Sequence, residues 1–141
     1  MSDVEPKLCF VDTNVWLYAF IQTQDPSKTG IAKTTIQSNE IVISSQVINE
    51  VCVNLIKKAG LDEASVRNLI QSFYSKYRVA LISEATLIEA SELRERYGFS
   101  YWDGLIVGCA LMEGAEVMYS EDMQSGLIVE SRLQIINPFA G

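Results

Sequence analysis

The sequence predicts an α/β protein, a doubly wound three-layer sandwich with helices on both faces of a central, mostly parallel sheet of about five strands. Short apolar runs alternate along the chain with longer segments of helical periodicity, as expected for a parallel sheet. The runs are apolar at successive positions, which is typical of strands buried on both faces. With 141 residues, of which 48% are hydrophobic, the chain suits one domain, 1–141, around a single core.

The predicted strands are short and rich in β-branched or aromatic residues. They are LCFV at 8–11, IVI at 41–43, VALI at 79–82, EVMY at 116–119 and LQII at 133–136. Six helices are predicted, at about 14–21, 27–38, 46–59, 62–77, 84–97 and 101–113. The third has a clean apolar stripe and ends at Gly60, whereas the sixth is apolar on nearly every side and should be sandwiched inside the protein.

Composition excludes several classes of function. The chain has no histidine, so it cannot contain a Ser-His-Asp site, an HExxH zinc site or an imidazole general base. Three widely separated cysteines in apolar surroundings predict reduced core residues. The net charge of −7 argues against a broad cationic surface for nucleic acid. Without a secretory signal pattern or a long apolar stretch, the chain is expected to be cytoplasmic and not membrane-associated.

Four carboxylates follow predicted strands at the edge where doubly wound folds bind ligands, beyond the carboxyl ends of the strands. Asp12 directly follows LCFV, and Glu50 lies in the first turns of the helix after IVI. Asp103 opens the buried sixth helix, and Asp122 follows EVMY. All four therefore fall on the same edge of the predicted sheet.

Each acid also has an ordinary structural interpretation. Asp12 could cap the first helix, and Asp103 could close an S-x-x-D capping box with Ser100. Helical periodicity alone places Glu50 on a solvated face, and Asp122 could belong to a polar turn. Considered one at a time, the four acids do not establish a site.

Considered together, the four acids favour a metal centre. Carboxylates that converge on one crevice repel one another and raise their pKa values, and a bound divalent cation removes that cost. Oxygen ligands without histidine or cysteine suit Mg²⁺ or Mn²⁺ rather than zinc. Such an ion can lower the pKa of a bound water and neutralise charge on a phosphodiester, so phosphodiester hydrolysis fits the available chemistry best.

Four longer segments of the sequence resemble the motifs of a known protein family. They are VDTNVWLYA at 11–19, SSQVINEV at 44–51, SYWDGLIVGCALMEGAEVMYSEDMQSG at 100–126 and LQIINPF at 133–139. With these segments the sequence resembles PIN-domain proteins, and within that family the VapC-type toxins of prokaryotic toxin–antitoxin pairs. The resemblance implies a metal-dependent endoribonuclease that hydrolyses RNA with Mg²⁺ or Mn²⁺, often as a homodimer, together with a cognate protein antitoxin.

The resemblance also implies roles for individual residues. The family's metal-binding and catalytic acids fall on Asp12, Glu50, Asp103 and Asp122, and its small hydroxyl residue falls on Ser120. Ser120 would orient a metal ligand or the scissile group.

Three further residues lie beside these acids in the matching motifs. Asn14 falls on the position that holds the loop of the first aspartate, and Thr13 would contribute a backbone contact. Glu121 has no assigned role, and a solvated turn is the favoured interpretation for it.

Basic and aromatic side chains provide candidate RNA contacts. Lys28, Lys33, Arg94 and Arg96 are candidates for touching flanking phosphates, although ordinary solvated helix positions are the favoured alternative. Tyr101 and Trp102, next to Asp103, could stack on a base. For Trp102, packing in the core or in a dimer interface is the favoured interpretation.

Other functions are also compatible with parts of the sequence. A housekeeping PIN-type RNA-processing nuclease would have the same acids, and a non-catalytic binding module could retain the acidic pocket. A phosphotransferase of haloacid-dehalogenase type would need a second acid where this chain has Asn14. A response-regulator receiver would need an Asp-Asp pair after the first strand, which is missing.

Overall fold

A computed structural model describes residues 6–22 and 25–140, so residues 1–5 of the N-terminal segment lie outside the described part. The described part contains six strands: β1 Leu8–Val11, β2 Glu40–Ser44, β3 Arg78–Ala80, β4 Val117–Tyr119, β5 Ile128–Val129 and β6 Leu133–Ile136. It also contains six helices: α1 Thr13–Phe20, α2 Pro26–Gln37, α3 Ser45–Ala59, α4 Glu63–Lys76, α5 Glu84–Tyr97 and α6 Tyr101–Met112. Every predicted element is present with its ends displaced by at most about two residues.

The strands form one sheet in the order β3-β2-β1-β4-β6-β5. Strands β1, β2, β3, β4 and β6 pair in parallel, and only β5 is antiparallel. The chain builds outward from β1 to β3, then returns through α5 and α6 to place β4 on the other side of β1. Right-handed crossovers in opposite directions put their helices on opposite faces, which gives the predicted three-layer sandwich.

The sheet has six strands rather than about five because of a short hairpin. The two residues of β5 pair with Gln134 and Leu133 of β6. Glu130 and Ser131 form the turn with φ of 51° and 57°, and the Arg132 N–H donates to the Val129 carbonyl at 3.0 Å. Hairpin turns whose two central residues both have positive φ usually contain Asn or Gly at those positions, and neither occurs here. The sequence therefore lacks the usual signal for this hairpin.

The core lies on both faces of the sheet. On one face, the Trp16 ring is buried 5.1 Å from the Phe73 ring and 5.3 Å from the Tyr77 ring. Its indole N–H donates to the Val11 carbonyl at 3.0 Å, which fixes α1 against the end of β1. On the other face, residues 104–111 of α6 are all buried, as the sequence predicts for a sandwiched helix.

The three cysteines are buried free thiols, which confirms the sequence prediction. Across residues 6–22 and 25–140, none of the helices has both the length and the apolar character needed to cross a bilayer.

Close packing of α5 on α6 requires two small residues of α6, Gly104 and Gly108. A Cβ atom at Gly108 would lie 3.2 Å, 3.3 Å and 3.4 Å from the backbone N, Cα and Cβ of Ala90. A Cβ atom at Gly104 would crowd the Arg94 side chain and the Ala90 carbonyl. Because Asp103 precedes Gly104, this contact also sets the position of an acid at the sheet edge.

The substitution Gly108→Val should lower the free energy of unfolding by about 1 to 3 kcal/mol, because the added methyl groups meet the backbone of Ala90. Gly30→Val is the matched control, since Gly30 is exposed in α2 and an added Cβ meets nothing within 4 Å. Denaturant unfolding of both variants measures the difference. Equal stability of the two variants would contradict the close α5–α6 packing.

Candidate active site

The candidate site lies at the carboxyl edge of the sheet, beside the pair of strands where the strand order reverses. Strands β1 and β4 are neighbours there although they lie far apart in sequence, with Phe10 aligned to Met118 and Val11 to Tyr119. Loops from adjacent strands diverge at such a point and leave a crevice. The four acids predicted from the sequence line one pocket in this crevice, with a volume of about 260 Å³.

Asp12 is the most buried of these acids, with 8% of its surface exposed. Its backbone N–H donates to the Tyr119 carbonyl at 2.9 Å, which continues the β1–β4 ladder by one residue. Its carboxylate accepts hydrogen bonds of 2.8 Å from the Thr13 N–H and from the Ser120 hydroxyl. Asp12 is therefore both the N-cap of α1, as its structural interpretation predicted, and a wall of the pocket.

Burial raises the pKa of Asp12 to about 6, and the negative charges of Asp103 and Glu50 add to the rise. The hydrogen bonds from Ser120 and Thr13 act in the opposite direction because they stabilise the ionised form. Within the described ranges, no cationic side chain forms an ion pair with Asp12. The carboxylate thus carries a desolvation cost that its neutral partners offset only in part.

Ser120 is fully buried directly after β4. Its N–H donates to the Ile136 carbonyl at 3.0 Å, and its hydroxyl donates to Asp12 and accepts from the Met123 N–H at 3.4 Å. Because the hydroxyl has no exposed surface, it contacts the Asp12 carboxylate and not a substrate. Of the two roles suggested by the resemblance, only orientation of a carboxylate is compatible with this position.

Glu50 is half-buried in the second turn of α3, which begins directly after β2 with Ser44 as its N-cap. One carboxylate oxygen accepts from the Thr13 hydroxyl at 2.9 Å, and the other accepts from the Gln46 side-chain amide at 2.8 Å. Glu50 therefore faces the pocket and not bulk solvent, although helical periodicity alone suggested solvent. Thr13 contributes through its hydroxyl as well as through its N–H.

Asp103 lies in the first turn of α6, where the partial positive charge of a helix N-terminus favours a carboxylate. Its N–H donates to the Ser100 hydroxyl at 3.2 Å, which is one half of the expected capping box. The reciprocal bond from the Ser100 N–H to the Asp103 carboxylate is absent from the described part of the chain. The carboxylate instead lines the pocket with Asp12 and Glu50.

Asp122 is exposed in the loop after β4. The Asn14 amide donates to its carboxylate at 2.9 Å, and the Asn14 carbonyl oxygen accepts from the Glu121 N–H at 3.4 Å. Asn14 thus joins α1 to the loop of the last acid. The resemblance had suggested that it holds the loop of the first aspartate, and these contacts give it a different partner.

Glu121 points away from the pocket and is not part of a solvated turn. It forms an ion pair with Lys28 of α2 and accepts from the Tyr18 hydroxyl of α1 at 2.9 Å. Lys28 also lies 4.9 Å from the Tyr18 ring centroid and 5.4 Å from that of Phe139. The residue next to Asp122 is thereby tied to both N-terminal helices.

The other candidate RNA contacts are dispersed. Arg94 lies over the Tyr101 ring at 4.2 Å, and Arg96 pairs with Glu92 and Glu130. Lys33 borders a separate groove beside α1 and α2. Lys28, paired with Glu121, is the one of the four that adjoins the loop of Asp122.

Trp102 and Tyr101 are 59% and 57% exposed, and Trp102 lines the acidic pocket. Packing of Trp102 in the core of the chain, one of the two favoured interpretations, is therefore wrong. The α6 helix buries every position from Gly104 to Leu111, but its first turn projects beyond the sheet edge into solvent.

The acids line one pocket but do not form a compact metal cluster. Within residues 6–22 and 25–140, no group of three or more acidic, cysteine or histidine side chains is close enough to hold an ion. Each of Asp12, Glu50 and Asp122 accepts a hydrogen bond from a neutral donor. A carboxylate oxygen has two lone pairs, so these bonds leave positions for a cation.

Sequence reasoning missed the contributions of Thr13 and Gln46 to the position of Glu50. The signal for Gln46 was available, because it precedes Glu50 by four residues and helical neighbours at that spacing share a face. The Thr13 hydroxyl had no comparable signal, since 37 residues separate it from Glu50.

Comparisons with known proteins agree with this fold. The family model described as "PIN domain" matches residues 9–125, which is most of the chain. No curated protein sequence matches it. Among solved structures, a chain of a toxin–antitoxin complex from Klebsiella pneumoniae superposes with a TM-score of 0.70 at 18% identity, covering 93% of this chain and 98% of that chain.

Two further structures have the same fold. VapC20 from Mycobacterium tuberculosis, a Sarcin-Ricin loop cleaving toxin, gives a TM-score of 0.64 at 20% identity, covering 78% of this chain and 86% of that chain. A chain of the VapBC2 structure from Rickettsia felis, which is bound to a promoter DNA fragment, gives a TM-score of 0.62 at 21% identity, covering 92% of this chain and 99% of that chain. These structural likenesses establish the fold, and the match over residues 9–125 establishes the family. The chain belongs to the PIN domain family.

Proposed function

We propose that this protein is a metal-dependent endoribonuclease that hydrolyses RNA phosphodiester bonds as the toxin of a toxin–antitoxin pair. The observation that carries the proposal is the convergence of Asp12, Glu50, Asp103 and Asp122 on one pocket at the carboxyl edge of the sheet. Elements from four separate parts of the sequence deliver these acids. In a chain without histidine, such a set is suited to phosphodiester hydrolysis.

The residues present fit a hard divalent cation. All four side chains offer carboxylate oxygens, which suit Mg²⁺ or Mn²⁺. The buried carboxylate of Asp12, with its raised pKa and only neutral hydrogen-bond partners, is a group that a cation would stabilise. Asp12, Asp103 and Asp122 would hold the ion, with Glu50 completing the set directly or through water. When bound, the cation activates water and neutralises phosphate charge.

The remaining residues position these acids. Ser120 fixes the carboxylate plane of Asp12 through its 2.8 Å hydrogen bond. Thr13 holds Glu50, and Asn14 holds Asp122, so two adjacent residues of α1 orient acids that come from α3 and from the loop after β4. Such hydrogen bonds to metal ligands fix their orientation and strengthen them as donors.

A protein antitoxin and a homodimer belong to the same proposal. The fold similarity to chains from toxin–antitoxin assemblies supports the antitoxin. An exposed groove of about 390 Å³ beside α1 offers apolar surface for such a partner, and its apolar walls are Trp16, Ala19, Phe20, Ile36 and Tyr77. The homodimer rests on the resemblance to the family.

A non-catalytic binding module is the second candidate function. The observation that favours it is the absence, within the described residues, of a cluster already compact enough to hold a metal ion. A housekeeping RNA-processing nuclease would share the chemistry of the main proposal and differ only in lacking an antitoxin.

Asp103→Asn and Asp122→Asn should each lower the cleavage rate of RNA by about 100-fold or more, because each removes a negative charge that holds the cation. Cleavage by the parent should require added Mg²⁺ or Mn²⁺ and stop in EDTA. Glu95→Gln removes the same charge from an exposed position of α5 and is the matched control, expected to cleave like the parent. Gel analysis of labelled RNA measures the rates.

Both variants should melt within a few degrees of the parent in EDTA. Melting temperatures far below that of the parent would identify these acids as structural caps and not as metal ligands. Saturable Mg²⁺ binding by the parent without cleavage of any RNA would favour the binding module.

Asp12→Asn should change the pH dependence of stability in EDTA. Because the pKa of Asp12 is raised from 3.8 to about 6, the native state holds the proton more tightly than the unfolded state. The resulting stabilisation is fully present below about pH 3.8 and is lost as the pH rises through about 6. Between about pH 4 and 7 the metal-free parent should lose about 2 to 3 kcal/mol of unfolding free energy that Asp12→Asn does not lose.

Denaturant unfolding of the parent and of Asp12→Asn at several pH values measures this difference. Mg²⁺ added at neutral pH should then stabilise the parent more than the variant. Parallel pH profiles of the two proteins would exclude an unfavourably buried charge at Asp12.

The neighbouring reading frame should encode a short protein with a DNA-binding start and a disordered tail. Co-expressed with this chain, it should form a stable complex and suppress RNA cleavage. Size-exclusion chromatography with light scattering measures the complex and the expected homodimer. The absence of such a neighbour would favour housekeeping RNA processing.

A further inference from the structure

A second pocket, of about 490 Å³, adjoins the acidic pocket. It is lined by Gln46, Asn49, Glu50 and Trp102, and the last two of these residues also line the acidic pocket. The two pockets are therefore neighbours that share Glu50 and Trp102 as lining residues. A group bound in the second pocket would lie directly beside the proposed reaction centre.

Trp102 presents a large aromatic surface to the second pocket, and the Tyr101 ring packs against it. The residue is 59% exposed, although a tryptophan normally gains much free energy from burial. Its ring meets the Tyr101 ring at 79° with 5.3 Å between centroids. Arg94 covers Tyr101 at 4.2 Å and donates to the Tyr101 carbonyl at 3.2 Å. Tyr101 is thus occupied as a support, and Trp102 is the ring that remains available to a ligand.

The opposite wall offers uncharged hydrogen-bonding groups. Gln46 and Asn49 are three residues apart on α3 and so share a face of that helix. The Gln46 amide nitrogen donates to Glu50, which leaves its carbonyl oxygen as an acceptor. The exposed Asn49 side chain makes no hydrogen bond within the part of the chain that the structure describes, so both its donor and its acceptor are available.

The negative charge of Glu50 restricts which chemical groups could bind in the second pocket. Glu50 forms part of the wall, so a phosphate or carboxylate placed there would be repelled. A flat, neutral ring with hydrogen-bonding edges suits an indole face opposite two amides, since aromatic side chains stack on bases and amides read base edges.

We propose that this second pocket is a nucleobase subsite, in which the base next to the scissile phosphate stacks on Trp102 and is read by Asn49 and Gln46. This inference rests on the proposed ribonuclease function and adds the residues that select the cleaved sequence. Trp102 supplies affinity for any base, whereas the two amides distinguish among bases. In this arrangement the scissile phosphate would bind in the acidic pocket, next to the cation.

Neutral nucleosides test the subsite separately from catalysis. The chain has two tryptophans, and Trp16 is buried with its indole N–H bonded to Val11. In EDTA, titration with each of the four common ribonucleosides should move the indole N–H NMR signal of Trp102 saturably and leave that of Trp16 in place. Trp102→Phe assigns the two signals.

Asn49→Ala should weaken binding of the preferred nucleoside by several-fold and reduce the preference among the four, because an edge contact is lost. If none of the four nucleosides, each added up to the limit of its own solubility, shifts the Trp102 signal, the subsite does not exist. If the shift occurs but Asn49→Ala leaves all four affinities unchanged, the reading of bases by Asn49 is wrong.

Cleavage kinetics give the second arm of the test. Trp102→Ala should raise KM for a short single-stranded RNA by about tenfold or more, with a smaller change in kcat, because stacking on the base is lost. Trp102→Phe should recover most of the loss. Tyr74→Ala is the matched control, since Tyr74 is 52% exposed on α4 and lies outside both pockets.

The two arms separate this inference from the proposed function. An unchanged KM in Trp102→Ala, with normal cleavage by the parent, would overturn the subsite and leave the ribonuclease proposal intact. Nucleoside binding at Trp102 without cleavage of any RNA would support the subsite and overturn the ribonuclease. A Trp102 signal moved only by a partner protein would identify the ring as a protein contact and overturn the subsite.

Discussion

Burial of the Asp12 carboxylate between the ends of β1 and β4 is the constraint on which the rest of the site depends. An ionised carboxylate removed from water is costly, and its partners among the described residues are one hydroxyl and one N–H group. Ser120 must therefore be held rigidly, and the ladder bond from its N–H to the Ile136 carbonyl does this. The sheet register that aligns Val11 with Tyr119 is thus also what brings Asp12 and Ser120 together.

The other acids are placed by α1, which starts at the Asp12 cap. Thr13 and Asn14 point to different acids, Glu50 and Asp122, so a single turn of helix links three carboxylates. Glu121 adds a tie from the same loop to Tyr18 and Lys28. A shift of α1 would move all of these contacts together, and the burial of Trp16 against Phe73 and Tyr77 opposes such a shift. Core packing thereby stabilises the geometry of the polar site.

Periodicity and strand order made most of the fold predictable from the sequence, whereas features decided by long-range contacts were not. Buried strands and amphipathic helices have strong local patterns, so their positions and the shared edge of the acids could be inferred. The β5–β6 hairpin was missed because Glu130 and Ser131 adopt positive φ without Asn or Gly. Lys28 and Tyr18 lie 93 and 103 residues from Glu121 in sequence, and no local pattern encodes these contacts. The same holds for Thr13 and Glu50, which are 37 residues apart. The exposed position of Trp102 likewise depends on where α6 meets the sheet edge.

The net charge of −7 raises the question of how such a chain would hold a polyanion. Three of the four basic residues considered as phosphate contacts already contact Glu121, Tyr101 or the pair Glu92 and Glu130. For the proposed ribonuclease, affinity for RNA would then come in part from groups that do not depend on protein charge. In the proposed ribonuclease, a bound cation would supply local attraction at the scissile phosphate, and the stacking surface proposed at Trp102 would supply affinity for the adjacent base. Binding of this kind depends less on salt than binding through many lysines and arginines, because fewer counterions are released.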